Sequence, residues 1–241
     1  MIPLREPVIA PALTTGPVSN NCVTGASVQP GDMLVLFHGK DFYDAASLTA
    51  PDGTIPSVDW TLRATGDAGV NKFHIKAWTA VAAVSGVHSI HGTSTGTNDS
   101  THYAHMFVVD GDGLNLTVDD AAGSNGGVTT AHVIPSLNVL GSDDKYLASS
   151  GAGPDQSGDY TPPGGLTKDV EQDNTGASTM ASYSQDLVAS GATGARTVTF
   201  SAAEAYATVA VAIRGVESGE THAGTGTAGI GIDATSTGDK L

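Results

Sequence analysis

The stretch Val28-Gln29-Pro30-Gly31-Asp32-Met33-Leu34-Val35-Leu36-Phe37 decides the fold class. Its Pro-Gly-Asp turn leads directly into an unbroken apolar run, a pattern typical of a core β-strand that begins at a tight turn. A second such pattern lies near the C-terminus, where residues 196–200 are followed by the apolar run at residues 206–214. We therefore expect these segments to be the first and last core strands of one β-sandwich.

The C-terminal run also predicts a register, because alternate side chains of a strand point to opposite faces. The side chains expected to face the sandwich interior are Ala207, Val209, Val211 and Ile213. The candidate partner faces on the first strand are Leu34 with Leu36, and Met33 with Val35 and Phe37. Since the run is more apolar than a half-exposed strand requires, we expect a loop or a neighbouring subunit to cover its second face.

Short β-like runs separated by turn residues fill the rest of the chain. Strands are predicted at residues 19–24, 33–38, 58–64, 72–83, 101–109, 114–118, 129–134, 145–149, 168–172, 179–184, 197–200 and 206–214. The breakers between them include Pro51-Asp52-Gly53, Thr65-Gly66-Asp67, Asp110-Gly111-Asp112-Gly113, Gly123-Ser124-Asn125-Gly126-Gly127 and Pro162-Pro163-Gly164-Gly165. This regular spacing without helical periodicity predicts an all-β fold, an antiparallel β-sandwich of jelly-roll type with extended terminal arms. The polar stretch at residues 149–165 is predicted to be a surface loop.

The 241 residues fit one large domain with tails. We expect an extended, proline-punctuated N-terminal arm at residues 1–16, a β-sandwich domain at residues 17–216, and a Gly/Thr-rich tail at residues 217–241. The arm should pack on a neighbour or on the sandwich edge. Because both ends carry too little apolar surface to fold alone, we expect contacts between subunits to order them.

The charge balance restricts the class of partner. The chain has 10 Lys plus Arg against 25 Asp plus Glu, a net charge of -15, which disfavours nucleic-acid binding because that draws on cationic contacts. The single cysteine, Cys22, forms no internal disulfide, which favours folding in a reducing cytoplasm. The first residues lack a continuous apolar segment, and no run reaches the roughly 18 apolar residues of a membrane span. We therefore expect neither a secretory signal nor a membrane partner.

Two glycine-containing motifs match known site patterns without the structural context that those sites need. Gly92-Thr93-Ser94-Thr95-Gly96 has the spacing of a hydrolase nucleophile elbow, but no helix is predicted after it. Gly224-Thr225-Gly226-Thr227-Ala228-Gly229 has the spacing of a dinucleotide-binding loop, but no βαβ unit surrounds it. We expect no catalytic residue, no cofactor-binding residue and no cofactor.

Histidine and aspartate clusters are the candidate metal sites of this sequence. His88 and His91, and likewise His102 and His105, are three residues apart, so on strands the members of each pair point to opposite faces. Asp110 and Asp112, with Asp119 and Asp120 after them, are similar to part of a calcium loop. That template requires acidic ligands where this chain has Leu114 and Ala121, so a tight turn explains the glycines better. No metal site is predicted; an adventitious calcium ion near Asp110 and Asp112 stays open.

The two tryptophans raise the possibility of a carbohydrate site, because exposed aromatic rings stack on sugars. Trp60 alternates with Val58 and Leu62, which predicts a core position. Trp78 shares a face with His74 and Lys76 if its strand has no bulge, which leaves its exposure open.

The order of these features resembles a diffuse group of β-sandwich domains in structural proteins of tailed bacteriophages that infect actinobacteria. The resemblance rests on Val28-Gln29-Pro30-Gly31-Asp32-Met33-Leu34-Val35, Asp59-Trp60-Thr61-Leu62, Phe73-His74-Ile75-Lys76-Ala77-Trp78, Ala195-Arg196-Thr197-Val198-Thr199-Phe200 and Ala207-Thr208-Val209-Ala210-Val211-Ala212-Ile213-Arg214, and it covers about residues 17–216.

The resemblance implies a non-enzymatic virion protein on the particle exterior. Such a protein would be a capsid-decoration, head-fibre or minor tail protein, assembled in the host cytoplasm, held by terminal arms and forming a homo-oligomer. Its partners would be major capsid or tail subunits. The alternative is a carbohydrate-binding adhesion module that attaches to glycans on the host surface.

Overall fold

The computed structural model describes residues 1–15, 20–41, 48–53, 59–69, 72–92 and 101–217. These residues form sixteen β-strands and connecting turns, and none of them lies in a helix that could span a membrane. The strands are β1 (Thr14–Thr15), β2 (Asn20–Val23), β3 (Met33–Lys40), β4 (Asp52–Gly53), β5 (Thr61–Asp67), β6 (His74–Val81), β7 (Ser89–Gly92), β8 (Thr101–Val109), β9 (Leu114–Ile134), β10 (Asn138–Val139), β11 (Lys145–Ala152), β12 (Tyr160–Thr161), β13 (Thr167–Asn174), β14 (Ser178–Asp186), β15 (Gly191–Ala192) and β16 (Arg196–Glu217).

Two main antiparallel sheets contain most of these strands. The first sheet has the order β1-β8-β3-β6-β5, and the second has the order β12-β16-β11-β14-β13, with β9 paired along β16. A three-stranded sheet, β2-β7-β4, which we name the cap sheet, and a small β10-β15 pair complete the fold. The all-β, antiparallel, sandwich-like architecture agrees with the sequence. The strand order does not confirm a jelly roll, since each main sheet draws its strands from one half of the chain.

The two main sheets meet through the register that the sequence predicts. Val209, Val211 and Ile213 are fully buried in one apolar cluster with Val35 and Phe37. Of the two candidate faces on β3, the one carrying Met33, Val35 and Phe37 faces the interior. Burying side chains of this size contributes about 1.5–3 kcal/mol each relative to exposure, so this interface contributes strongly to stability.

Both main sheets are also covered on their outer faces. Leu34, Leu36 and Trp78 of the first sheet pack in a second cluster with Cys22 and Ile90 of the cap sheet.

On the second sheet, Ala210 and Ala212 lie in a third cluster with Ile134, the last residue of β9, and Leu137, which follows it. Thr208 is fully buried and donates to the carbonyl of Val133 at 2.8 Å. The second face of the C-terminal run is therefore covered by the chain itself.

Three predicted breakers lie wholly or partly inside strands: β9 runs through Gly123–Gly127, β5 ends with Thr65-Gly66-Asp67, and Asp52–Gly53 forms β4. β16 also joins the two predicted C-terminal strands through an irregular region between Thr199 and Tyr206. A Cβ atom on Gly123 would lie 2.0 Å from the carbonyl oxygen of Thr65, so this glycine lets β9 approach β5 closely. The glycine there marks a close backbone contact rather than a turn.

The prediction of a surface loop at residues 149–165 was wrong over much of its length. β11 continues through Ala152, and Ser149 and Ser150 are fully buried in it. Tyr160 forms β12 against β16 and is 1% exposed. Small polar side chains fit between packed sheets when their hydroxyls are bonded, as Ser149 is to the carbonyl of Ala181.

The N-terminal arm lies along the edge of its own sandwich. Arg5 and Ile9 donate backbone hydrogen bonds to the carbonyls of Val108 and Met106 on β8. The Arg5 guanidinium also bridges the buried Asp32 and Asp110. The arm was expected to pack either on a neighbouring subunit or on the sandwich edge, and in the structure it packs on the sandwich edge. The C-terminal tail lies outside the described residues from 218 onward.

Substitutions in β16 test this layering. Val211→Asp buries a carboxylate between the main sheets and should lower the free energy of unfolding by about 4 kcal/mol or more. Thr208→Asp should be nearly as damaging, because its face is also covered. Urea denaturation measures both, with Val128→Asp on β9, where the side chain is 68% exposed, as a control expected to change stability by about 0.5 kcal/mol or less. A Thr208→Asp variant as stable as the control would contradict the covered second face.

Candidate functional site

Histidine and lysine side chains gather on the outer face of the first sheet. Alternation along β3 places His38 and Lys40 on the same face as Leu34 and Leu36. In the strand register His38 is opposite Lys76 of β6, and Lys40 lies between His74 of β6 and His102 of β8. We name the five residues His38, Lys40, His74, Lys76 and His102 the imidazole–lysine cluster.

The cluster is buried, although it contains ionisable groups. His38, Lys40, His74 and His102 are each 2% exposed or less. His74 Nδ1 lies 2.9 Å from an oxygen of Asp67, and Lys76 Nζ donates to the carbonyl of Leu48 at 2.8 Å. Such contacts offset the loss of hydration that burial imposes on charged groups.

His38 is fully buried within the cluster. Its ring centroid lies 6.1 Å from that of His102, and neither ring nitrogen has a hydrogen-bond partner among the described residues. The backbone of Gly92 on β7 lies against the ring, since a Cβ atom there would be 3.1 Å from His38 Cδ2. Burial, and secondarily His102, Lys40 and Lys76, lowers the pKa of His38 to about 3. The imidazole is therefore neutral at pH 7.

A second histidine lies between the main sheets. His105 Nδ1 is 2.9 Å from Ser182 Oγ, and its Nε2 is 2.9 Å from Gln172 Oε1. Ser182 Oγ in turn contacts Ser149 Oγ at 2.9 Å. The row looks like the serine–histidine pair of a hydrolase, but His105, Ser182 and Ser149 are fully buried. This row of hydrogen bonds links β8, β13, β14 and β11. Burial lowers the pKa of His105 to about 4.

The structure separates the histidine pairs that the sequence singled out. His102 belongs to the outer face and His105 to the interior, as strand alternation predicts. His88 Nε2 lies 3.1 Å from the carbonyl of Val84, whereas His91 pairs with Asp52 at the surface. Among the described residues, no group of three or more His, Cys, Asp or Glu side chains is placed to hold a metal ion.

The aspartates of the possible calcium loop have other partners. Asp110 is paired with Arg5 and accepts a hydrogen bond from the backbone of Asp112, in a turn closed by Leu114 N–H donating to Gly111. The tight turn expected here is confirmed. Asp119 and Asp120 instead accept from the backbone of Leu140 and Asn138.

The tryptophans differ in exposure. Trp78 is 8% exposed and belongs to the cluster beneath the cap sheet, on the face with His74 and Lys76, and its strand has no bulge against β3. Trp60 is half-buried against the same cluster, while its neighbour Leu62 is 43% exposed. Trp60 therefore packs on the core, but it is not fully buried as a core residue would be. Val58, Ser94 and residues 224–229 lie outside the described residues.

Sequence reasoning missed His38 and Lys40 as partners of His102. A usable signal was present, because the apolar alternation of Leu34 and Leu36 continues into His38 and Lys40 on the same face. The contact with His102 also depends on which strand pairs with β3. That strand is β8, which is more than sixty residues away in sequence.

Buried neutral histidines make stability depend on pH. Because the pKa of His105 is about 4 in the fold and near 6.5 when unfolded, the unfolded chain binds the extra proton, and stability falls as the pH drops from 6.5 to 4. His105→Gln should remove about 1.4 kcal/mol per pH unit from that slope, measured by urea denaturation across this range. His91→Gln at the surface is the control and should keep the slope. An unchanged slope in His105→Gln would refute the assignment.

Comparison with known proteins does not identify a family for this chain. No family model matches the chain, and no curated protein or solved structure matches it either. The resemblance to phage structural domains therefore rests on the short motifs of the sequence.

Proposed function

We propose that this chain is a non-enzymatic structural protein of a bacteriophage virion, located on the particle exterior as a capsid-decoration, head-fibre or minor tail protein. The observation that carries the proposal is the use of its reactive side chains in packing. The His105–Ser182 pair is sealed between two sheets and bonded to Gln172 and Ser149. Groups committed in this way hold strands together. A jelly-roll-type relationship and a C-terminal tail that binds neighbours belong to the same proposal.

Closure of the sandwich at both sides supports a role at high local copy number. On one side the backbones of Gly66 on β5 and Thr208 on β16 approach closely, since a Cβ atom on Gly66 would lie 2.6 Å from the Thr208 carbonyl oxygen. On the other side the N-terminal arm covers the sandwich edge formed by β8 and β13. It pairs with β8, and Gln172 of β13 donates to the carbonyl of Pro11 at 2.6 Å. Covered edges oppose uncontrolled strand pairing between copies.

One end of the sandwich is the surface that we assign to neighbouring subunits. β3 begins and β16 ends there, and the Gly/Thr-rich tail follows in sequence. Apolar side chains exposed at or near this end are Met1, Val81, Val84, Leu140 and Val188. Exposed apolar groups of this kind mark contact surfaces when they lie close together. Major capsid or tail subunits, or further copies of the chain, would be the partners.

Deleting residues 219–241 tests the role in assembly. The deletion removes no described residue of the sheets, so circular dichroism and thermal melting of the isolated protein should stay nearly unchanged. Incorporation into particles of the encoding phage should fall, measured by quantitative mass spectrometry of purified virions, with the full-length chain as control. A full-length chain that is absent from purified virions would overturn the proposal. A truncated chain that assembles normally would overturn the role of the tail.

A carbohydrate-binding adhesion module is the second candidate, because Trp60 is half-buried beside the exposed Leu62. An indole with one accessible side can stack on a sugar ring. On this alternative, a screen against host-surface glycans should give binding that Trp60→Ala abolishes and Val128→Ala, at an exposed position on β9, leaves intact. No binding by the intact protein would exclude the alternative.

A further inference from the structure

The cap sheet covers two chemically different halves of the same surface. Cys22 and Ile90 lie on the apolar half, with Leu34 and Leu36. Two residues after Ile90 on β7, Gly92 lies on the ring of His38 in the imidazole–lysine cluster. One strand of the cap sheet therefore touches both halves.

Protonation of His38 under the closed cap is opposed from each strand of the first sheet around it. The ionisable groups that face its ring are Lys40 on β3, Lys76 on β6 and His102 on β8. Gly92, the cap residue that lies on the cluster, brings no ionisable side chain, and the preceding residue, His91, pairs with Asp52 on the other side of the cap sheet. No described hydrogen-bond acceptor contacts the His38 ring nitrogens. A proton there would add a buried charge beside two ammonium groups.

We propose that the cap sheet is an acid-sensitive cover that opens when His38 is protonated. Opening lets water reach the imidazole and exposes the apolar face formed by Leu34, Leu36 and Trp78. The two main sheets stay packed, because their shared core does not include the cap. This inference stands whether or not the chain belongs to a virion.

The coupling between proton binding at His38 and opening of the cap sheet sets the size and sign of the pH dependence. With a pKa of about 3 under the closed cap and an ordinary value of 6.5 in water, His38 takes up its proton only in the open state between these values. Opening is therefore favoured as the pH falls. Between pH 7 and pH 5 the open population should rise about 25-fold from this group alone.

Cys22 reports on the opening directly. It is the chain's one cysteine, its side chain is fully buried on the inner face of the cap sheet against Ala104 of β8, and burial raises the pKa of its thiol to about 12. A closed cap thus protects the thiol, and an open cap exposes it. Labelling of the full-length protein with dithiodipyridine at pH 7 and pH 5 measures the rates, each divided by the rate of the urea-denatured chain at the same pH.

The expected result is a normalised labelling rate about 25-fold higher at pH 5, with unchanged far-ultraviolet circular dichroism. His38→Gln should reduce this ratio to below about threefold, and His38→Leu provides a second variant if the first does not fold. His105→Gln, between the main sheets, is the matched control and should keep the full ratio. A rate that does not change with pH, a full ratio in both His38 variants, or labelling that rises only with loss of circular dichroism would each overturn the proposal.

Discussion

The apolar cluster between the two main sheets is the interaction on which the rest of the structure depends. β3 contributes Val35 and Phe37 to it and β16 contributes Val209 and Val211; β3 is the central strand of its sheet, and β16 has neighbouring strands on both sides. Since these two segments are far apart in sequence, their shared cluster closes most of the chain into one loop.

A buried polar group at one end of the sheets holds the N-terminal arm and two turns. Asp32 is fully buried, receives the backbone N–H groups of Gln29 and Gly111, and is paired with Arg5 of the N-terminal arm. One carboxylate thus joins the first turn, the turn after β8 and the arm. Leaving that charge without its partner would be costly in a buried site. The arm is in this way part of the domain.

Burial gives the histidines their properties. His38 and His105 have lowered pKa values for the same first cause, the loss of water around the charged form. Their surroundings differ, because His105 has hydrogen-bonding partners on both ring nitrogens and His38 faces lysines. The first arrangement ties strands together, and the second leaves a neutral ring whose protonation the closed fold resists. Residue type alone does not distinguish these two situations.

The sequence by itself determined the all-β class, the extent of β8 and the register of the C-terminal run, because these follow from period-two alternation and turn residues. It also determined that His102 and His105 point to opposite faces. It did not determine that Gly123–Gly127 lies within a strand, that Ser149 is buried, or that His38 meets His102. Those features depend on which distant part of the backbone lies alongside. A glycine that sequence alone assigns to a turn can instead allow another strand to approach closely. A polar side chain that sequence alone assigns to the surface can be buried when a second sheet packs over it. Only the tertiary structure supplies that neighbour.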